Sequence, residues 1–326
     1  MNAKIIGIGK YIPEKVLTNH DLEKMVETSD DWITTRTGIK ERHIAADNET
    51  TSSMGAEAAK RAIEMSGLSP EDIDMTIFAS ITPDMPFPAS ACLVQDILKL
   101  PKTATVDIEA ACSGFIYGLS MAYAYIASGI YKNVLVIAAE TMSRFVDWED
   151  RNTCVLFGDG AGAAVVSATD NPDEGFLGFK LGGDGFYKDF LYVPAGGSYR
   201  PANMETVEEG LHYIKMDGNA TFKVAVKTMA NVLDELLIEK GISKEAISIV
   251  IPHQANERID LAVADRLKIP REKFFLNLHK YGNTSAGTIP IALCEAYEEG
   301  RIKKGDLVAF VAFGGGFTWG ASLLKW

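Results

Sequence analysis

Two short stretches of this chain recur at nearly the same spacing. Gly67-Leu-Ser-Pro-Glu-Asp-Ile-Asp74 is similar to Gly241-Ile-Ser-Lys-Glu-Ala-Ile-Ser248, 174 positions further on. Cys112-Ser-Gly lines up with Ser285-Ala-Gly at a spacing of 173. Each copy of the first motif follows an amphipathic helical pattern, over 56–66 and 222–240, and precedes an apolar strand. Each copy of the second opens a helix, which leads through a lysine-containing turn to another apolar strand. Such repetition constrains the fold more than any composition does, and two copies are too few for a solenoid. The 326 residues therefore divide into two related halves, 1–170 and 171–326, at the polar turn Thr169-Asp-Asn-Pro-Asp-Glu-Gly175. Alternating strands and helices in each half predict mainly parallel sheets covered by helices.

Composition narrows the function. The 32 basic residues are outnumbered by 44 acidic ones, for a net charge of −12, which disfavours nucleic acid or an anionic membrane as the main partner. Cys92, Cys112, Cys154 and Cys294 form no CxxC pair and no zinc spacing, so reduced thiols and a cytoplasmic setting are expected. Ile5-Ile-Gly-Ile-Gly9 is too short for a signal peptide. The charge-free stretch from Ala110 to Tyr131 is long enough to span a membrane, but its many small residues predict a central buried helix instead.

Cys112 stands between a strand pattern and that helix, among Ala110, Ala111, Ser113 and Gly114. A cysteine at a helix start feels unpaired N–H groups that favour thiolate, as a nucleophile requires. Most lone cysteines are core residues, so partners must decide. The apolar run Ala246-Ile-Ser-Ile-Val-Ile-Pro252 delivers His253 at a strand end, and Lys280-Tyr-Gly-Asn283 places an asparagine before another apolar helix. A cysteine with a distant histidine and asparagine is a catalytic-thiol pattern. Its three members sit where open α/β sheets build their sites.

Ala-Cys-Ser-Gly-Phe at 111–115, Pro-His-Gln-Ala-Asn at 252–256 and Tyr-Gly-Asn-Thr-Ser-Ala at 281–286 resemble the β-ketoacyl-acyl carrier protein synthase III enzymes of bacterial fatty-acid synthesis. The resemblance continues in Thr28-Ser-Asp-Asp-Trp-Ile, Thr35-Arg-Thr-Gly-Ile, Phe157-Gly-Asp-Gly-Ala-Gly-Ala and Phe313-Gly-Gly-Gly-Phe-Thr-Trp-Gly, and so spans nearly the whole chain. It implies a thiolase-like fold, two duplicated halves forming an αβαβα core. It also implies a decarboxylative Claisen condensation of acetyl-CoA, or another short acyl-CoA, with malonyl-acyl carrier protein. No cofactor or metal is implied, acyl-CoA being a substrate. Elongating synthases resemble Cys-His-His sites and thiolases carry a second cysteine near the last glycine run; this chain has Asn283 and no such cysteine.

By the same resemblance Cys112 would carry the acyl group as a thioester, while His253 and Asn283 would donate hydrogen bonds to the forming enolate. The backbone N–H groups of Cys112 and Gly315 would form the oxyanion hole. Trp32 and Arg151 would sandwich the adenine of CoA, Thr28 would bond the base and Arg36 would meet phosphate. Phe222, Ala255 and Asn256 would line the pantetheine tunnel. Lys223 and Arg258 match positions that dock the acidic carrier protein, and Lys227 joins them on helical spacing. Phe87, in the proline-stiffened loop Pro83-Asp-Met-Pro-Phe-Pro88, would reach across a homodimer to floor the partner's acyl pocket. Two other readings differ in function: a synthase III relative of secondary metabolism with another primer, and a non-catalytic paralogue that binds acyl-CoA or carrier protein. The intact Cys112, His253 and Asn283 set speaks against the second.

Overall fold

Nine strands build two sheets in the computed structural model, which describes residues 1–326. The first sheet contains β1 (Asn2–Tyr11), β2 (Met75–Ala79), β3 (Ala104–Ile108), β4 (Asn133–Thr141) and β5 (Asp159–Thr169), in the order β1-β5-β4-β2-β3. The second contains β6 (Gly175–Gly183), β7 (Ile249–Pro252), β8 (Leu307–Gly314) and β9 (Thr318–Lys325), in the order β7-β8-β9-β6. Val250 adds a parallel bridge to Phe274, at the place where the first sheet has β3. With that bridge included, the two sheets share one strand order and one pattern of directions.

The sheets are mixed, where alternation of strands and helices predicts mainly parallel ones. The reason lies in the connections: β8 and β9 are joined by only Gly315, Gly316 and Phe317, too few for a parallel crossover. Strands β4 and β5 are joined by a loop with short helical turns, and they too pair antiparallel.

Six helices cover the sheets: α1 (Thr51–Ser66), α2 (Ser90–Leu98), α3 (Gly114–Ala127), α4 (Gly218–Lys240), α5 (Glu257–Leu267) and α6 (Thr288–Glu298). The largest apolar cluster joins Phe115, Ile116 and Leu119 of α3, Ile289 and Leu293 of α6, Ile77 and Val136 of the first sheet, and Ile251 and Phe310 of the second. The two helices thus lie between the sheets. Helices α1 and α2 cover the outer face of the first sheet, and α4 and α5 that of the second. The result is five layers, αβαβα. Helix α3 is the central helix foreseen for the charge-free stretch, and no helix of the chain is long and apolar enough to cross a membrane.

The repeated motif has a local cause. Gly67 and Gly241 take left-handed backbone, φ 73° and 63°, and end α1 and α4. The serine two residues on then begins a short helical turn in both copies. At the second motif the structure moves the register by one residue. The helical turns Ala111–Ser113 and Ser285–Gly287 correspond, and their first residues share left-handed backbone, φ 44° and 49°. Cys112 is therefore equivalent to Ala286 and not to Ser285, and the spacing is 174 at both motifs. Matching Cys-Ser-Gly to Ser-Ala-Gly aligned side chains of similar size, whereas the repeated quantity is the backbone turn.

One core residue breaks the apolar pattern. Asp260 on α5 is fully buried, neither carboxylate oxygen has a hydrogen-bond partner, and burial, with the charge of Glu257, raises its pKa well above the usual range. The folded protein therefore holds a proton that the unfolded chain releases above about pH 4. Stability from this group is intact below that pH and falls as pH rises toward the folded value. Asp260→Asn, which cannot ionise, should leave Tm near pH 4 almost unchanged and raise it at pH 8, by about 1.5 °C per kcal/mol of penalty removed. Calorimetric melts of both proteins across that range check it, and an equal shift at both pH values would contradict it.

Candidate active site

The strand β3 ends at Ile108, and the chain turns through Ala111 into the short helical turn that holds Cys112. Hydroxyls of Ser113 and Thr318 donate to the carbonyl of Ala110 at 2.7 and 2.8 Å and fix that turn. Gly314, at the end of β8, presses against it: a Cβ there would stand 2.6 Å from the Cys112 nitrogen and 3.1 Å from the Ala111 Cβ. Only glycine permits this approach. His253 follows β7, its N–H bonded to the Val311 carbonyl at 2.8 Å. The Asn283 backbone is tied to Leu156 and Gly158, at 2.8 and 3.1 Å.

These elements bring Cys112, His253 and Asn283 to the wall of one cavity of about 130 Å³, together with Phe222, Ala255 and Asn256. A second cavity, of about 470 Å³, meets the first at Cys112 and is lined by Ala111, Gly315, Met142, Phe157 and Lys188 among others. Cys112, with Phe157 and Leu191, thus borders both chambers. Gly315 lines the second, beside Cys112, and Thr221, which sequence reading passed over, lines the first with a buried hydroxyl that has no partner.

The electrostatics differ from the sequence expectation. Burial pushes the Cys112 thiol up to about 12, with the nearby Glu140 raising it further and a hydrogen bond to Ser285 opposing. The resting group is a thiol, because loss of water outweighs the partial charge of the helix start. Its Sγ–H donates to Ser285 Oγ at 3.6 Å. Burial also pushes His253 down to about 3, so the imidazole is neutral. The Asn283 carbonyl oxygen accepts the Ser285 N–H at 2.8 Å, which turns the side-chain NH2 group away as a free donor.

Thr288 governs His253. Its hydroxyl lies 2.7 Å from Nδ1 and 3.0 Å from the Ser285 carbonyl, and it has one hydrogen to give. The Ser285 carbonyl can only accept, so satisfying both contacts gives that hydrogen to the carbonyl and puts the imidazole proton on Nδ1; donation through Nε2 requires the Thr288 hydroxyl to turn its hydrogen to Nδ1 and release the carbonyl.

The remaining candidates fall into three places. Trp32 has the Arg36 and Arg151 guanidinium groups at 4.7 and 4.9 Å from its ring centroid, and Arg151 is tethered to the Glu27 carbonyl at 2.9 Å. A flat ring between Trp32 and Arg151 would require Arg151 to move outward. Thr28 has a buried hydroxyl without a partner. Asn256 caps α5 through Oδ1 and donates to the Arg36 carbonyl at 3.1 Å, leaving one amide hydrogen free. Lys223, Lys227 and Arg258 are exposed and make no ion pair, with Arg258 set over Phe222. Phe87 is 83% exposed and lines neither cavity.

Ser285 and Glu140 also escaped sequence reading. The signal for Glu140 was present: a lone carboxylate ending the apolar run Val134-Leu-Val-Ile-Ala-Ala139.

Duplicated mixed sheets around two buried helices, with a cysteine, a histidine and an asparagine on one cavity wall, define a condensing enzyme of the thiolase-like class. Family models of 3-oxoacyl-[acyl-carrier-protein] synthase III match residues 106–185, and those of its C-terminal region match 237–326. A β-ketoacyl-[acyl-carrier-protein] synthase III of Caldanaerobacter subterraneus subsp. tengcongensis is 56% identical over 99% of this chain and 98% of its own. The synthase III of Natranaerobius thermophilus is 54% identical over 100% and 99%. The crystal structure of 3-oxoacyl-[acyl-carrier-protein] synthase III from Aquifex aeolicus VF5 superimposes with a TM-score of 0.93 at 52% identity, covering 99% of this chain and 100% of that one. The chain belongs to the β-ketoacyl-acyl carrier protein synthase III family.

Nitrogen-15 NMR of histidine-labelled protein checks the state of His253. With its pKa pushed down to about 3, it should show no titration between pH 5 and 8, and in the resting protein its proton should sit on Nδ1, donated to the Thr288 hydroxyl. A midpoint inside that range would contradict the burial argument.

Proposed function

We infer that this protein catalyses the initiating condensation of type II fatty-acid synthesis, joining a short acyl group from CoA to malonyl-acyl carrier protein with loss of CO2. The convergence of Cys112, His253 and Asn283 on one cavity carries this reading, with family membership behind it. Cys112 attacks the acyl thioester from CoA, and the tetrahedral oxygen faces the N–H groups of Cys112 and Gly315. Malonyl thioester then enters the first cavity. Neutral His253, its proton on Nε2 once the Thr288 hydroxyl turns to Nδ1, and the free NH2 of Asn283 donate to its thioester oxygen as CO2 leaves. The enolate attacks the acyl carbon on Cys112, and 3-oxoacyl-carrier protein departs.

The same reading assigns the outer residues. Thr28, Trp32, Arg36 and Arg151 hold the nucleotide end of CoA. The unpartnered Thr28 hydroxyl and the cationic rim support that. Phe222, Ala255 and Asn256 line the path of the pantetheine arm. Lys223, Lys227 and Arg258 are exposed cations without an ion pair, Lys223 next to Phe222 in the chain and Arg258 over its ring, in a protein of net charge −12, and suit an acidic carrier protein. Free, partly or fully buried cysteines fit a cytoplasmic protein.

Trapping the intermediate tests the function. Acetyl-CoA should add one acetyl group to the intact protein, located on the Cys112 peptide, and Cys112→Ala should abolish it. His253→Ala and Asn283→Ala should still acylate but lose malonyl decarboxylation by about a hundredfold or more. Acylation of the Cys112→Ala protein would refute the assignment.

Assembly forms part of the proposal. One edge of β3 is unpaired, its residues are half-buried, and Phe87, Met85 and Ile97 are exposed. An open strand edge beside apolar side chains suits a second copy of the chain. In such a dimer Phe87 floors the partner's second cavity and limits primer length. Phe87→Ala should shift preference toward longer acyl-CoAs while Cys112 still acylates, and sedimentation of the wild type should show a dimer. An unchanged primer profile would refute the pocket role, and a fully active monomer the assembly.

A further inference from the structure

Acylation requires Cys112 to lose a proton, and the residues already assigned offer no acceptor. Asn283 cannot act as a base. His253 makes no hydrogen bond to the sulfur, and burial keeps its proton affinity low. The sulfur has one hydrogen-bond partner, Ser285 Oγ, and that hydroxyl donates to Glu140 Oε1 at 2.9 Å.

The bonding around Glu140 has a direction. Ser80 Oγ accepts from the Thr82 N–H at 3.0 Å and therefore gives its hydrogen to Glu140 Oε2 at 2.9 Å. Thr82 Oγ1 accepts from the Thr141 N–H at 2.9 Å and gives its hydrogen to Oε2 at 2.6 Å. The N–H groups of Ile81 and Thr82 add two more donors, each at 3.1 Å. Every neighbour is a donor, and no lysine or arginine pairs with the carboxylate. This cage favours the ionised form. Complete burial opposes it and raises the Glu140 pKa, toward the range where a general base works best.

We propose that Glu140, acting through Ser285, is the general base that takes the Cys112 proton during acylation and returns it after condensation. The proposal rests on Cys112 as nucleophile. In the first half-reaction the S–H proton passes to Ser285 Oγ as the Ser285 proton passes to Glu140 Oε1. The sulfur forms its bond to the acyl carbon, the bond from that carbon to the CoA sulfur breaks, and CoA leaves as thiolate, which takes a proton from solvent. In the second, malonyl loses CO2, the enolate takes the acyl carbon, and Cys112 is released as thiolate. Glu140 returns its proton through Ser285, restoring thiol and carboxylate. The cycle consumes one proton from solvent, matching conversion of the malonyl carboxylate to neutral CO2.

The titratable groups that line the two cavities with Cys112 are His253 in the first and Glu109, Lys188 and Tyr192 in the second; Asp159 on β5 pairs with Thr141, next to Glu140, and is occupied by Ser143 and Ala45. None of them bonds Cys112.

Single-turnover acylation by acetyl-CoA, followed by intact mass from pH 5.5 to 9.5, tests the relay. The wild-type rate should rise with pH and level off once Glu140 is ionised. Ser285→Ala and Glu140→Gln should acylate about a hundredfold more slowly at neutral pH, the lower end of what such a base supplies. Their residual rate should climb about tenfold per pH unit without levelling, as hydroxide replaces the relay. Alanine already adopts the required backbone at Ala111, so Ser285→Ala decides the matter if Glu140→Gln fails to fold. A Ser285→Ala rate close to wild type overturns the proposal. So does a slowed rate that keeps the wild-type levelling, which would mark the pair as structural only. Acylation of Cys112→Ala would instead remove the nucleophile assignment, a separate failure.

Discussion

Two helices enclosed between two sheets decide where chemistry can occur. The first turns of helices α3 and α6 are buried, so solvent cannot satisfy them. Each is preceded by a turn whose first residue, Ala111 or Ser285, is held in left-handed backbone. The two turns meet at the centre of the molecule, where Cys112 Sγ reaches Ser285 Oγ. Left-handed backbone is unfavourable for residues other than glycine, by an amount on the order of 1–2 kcal/mol. The surrounding hydrogen bonds to Ala110, Asn283 and Thr288 hold it in place.

Enclosure has electrostatic consequences that run one way. Cys112 becomes a weaker acid, His253 a weaker base, and Glu140 and Asp159 become more easily protonated. Each shift follows from the cost of charge away from water. In the proposed condensation a neutral imidazole and an amide would donate hydrogen bonds while bringing no fixed charge to the enolate. The same burial makes proton removal from Cys112 the demanding step, and so gives the hydroxyl and carboxylate beside it their importance.

Much of this was legible in the sequence. Duplication was visible because helix stops at Gly67 and Gly241 are written in local residue types, and the Cys112, His253 and Asn283 motifs are contiguous and specific. What escaped reading was written across distance. Ser285 and Glu140 bond one another across 145 residues, and no local pattern links them. The antiparallel halves of the sheets depend on connection length, which alternation of elements does not encode. The one-residue register change arose because side-chain similarity is a poorer guide to a duplicated turn than its backbone torsion. Phe87 is exposed and lines neither cavity of its own chain, so no packing within the chain marks it.

The 174-residue spacing also explains why a duplicated fold has one site and not two. Cys112 corresponds to Ala286, Glu140 to Gly314, Ser285 to Ala111, His253 to Ala79 and Thr288 to Gly114. Asn283 corresponds to Glu109, whereas each of the other five counterparts is alanine or glycine. They are also packed on one another: a Cβ at Gly114 would stand 3.0 Å from the Ala79 Cβ and 3.5 Å from that of Ala286, and one at Gly314 would stand 3.1 Å from that of Ala111. The space that holds cysteine, serine, glutamate, histidine and threonine on one side of the pseudo-twofold is closed on the other. Steric closure of the second copy lets the two helix turns approach closely enough for a residue of one half to bond a residue of the other. A symmetric pair of sites would force the turns apart and leave the Cys112 sulfur without its hydroxyl partner.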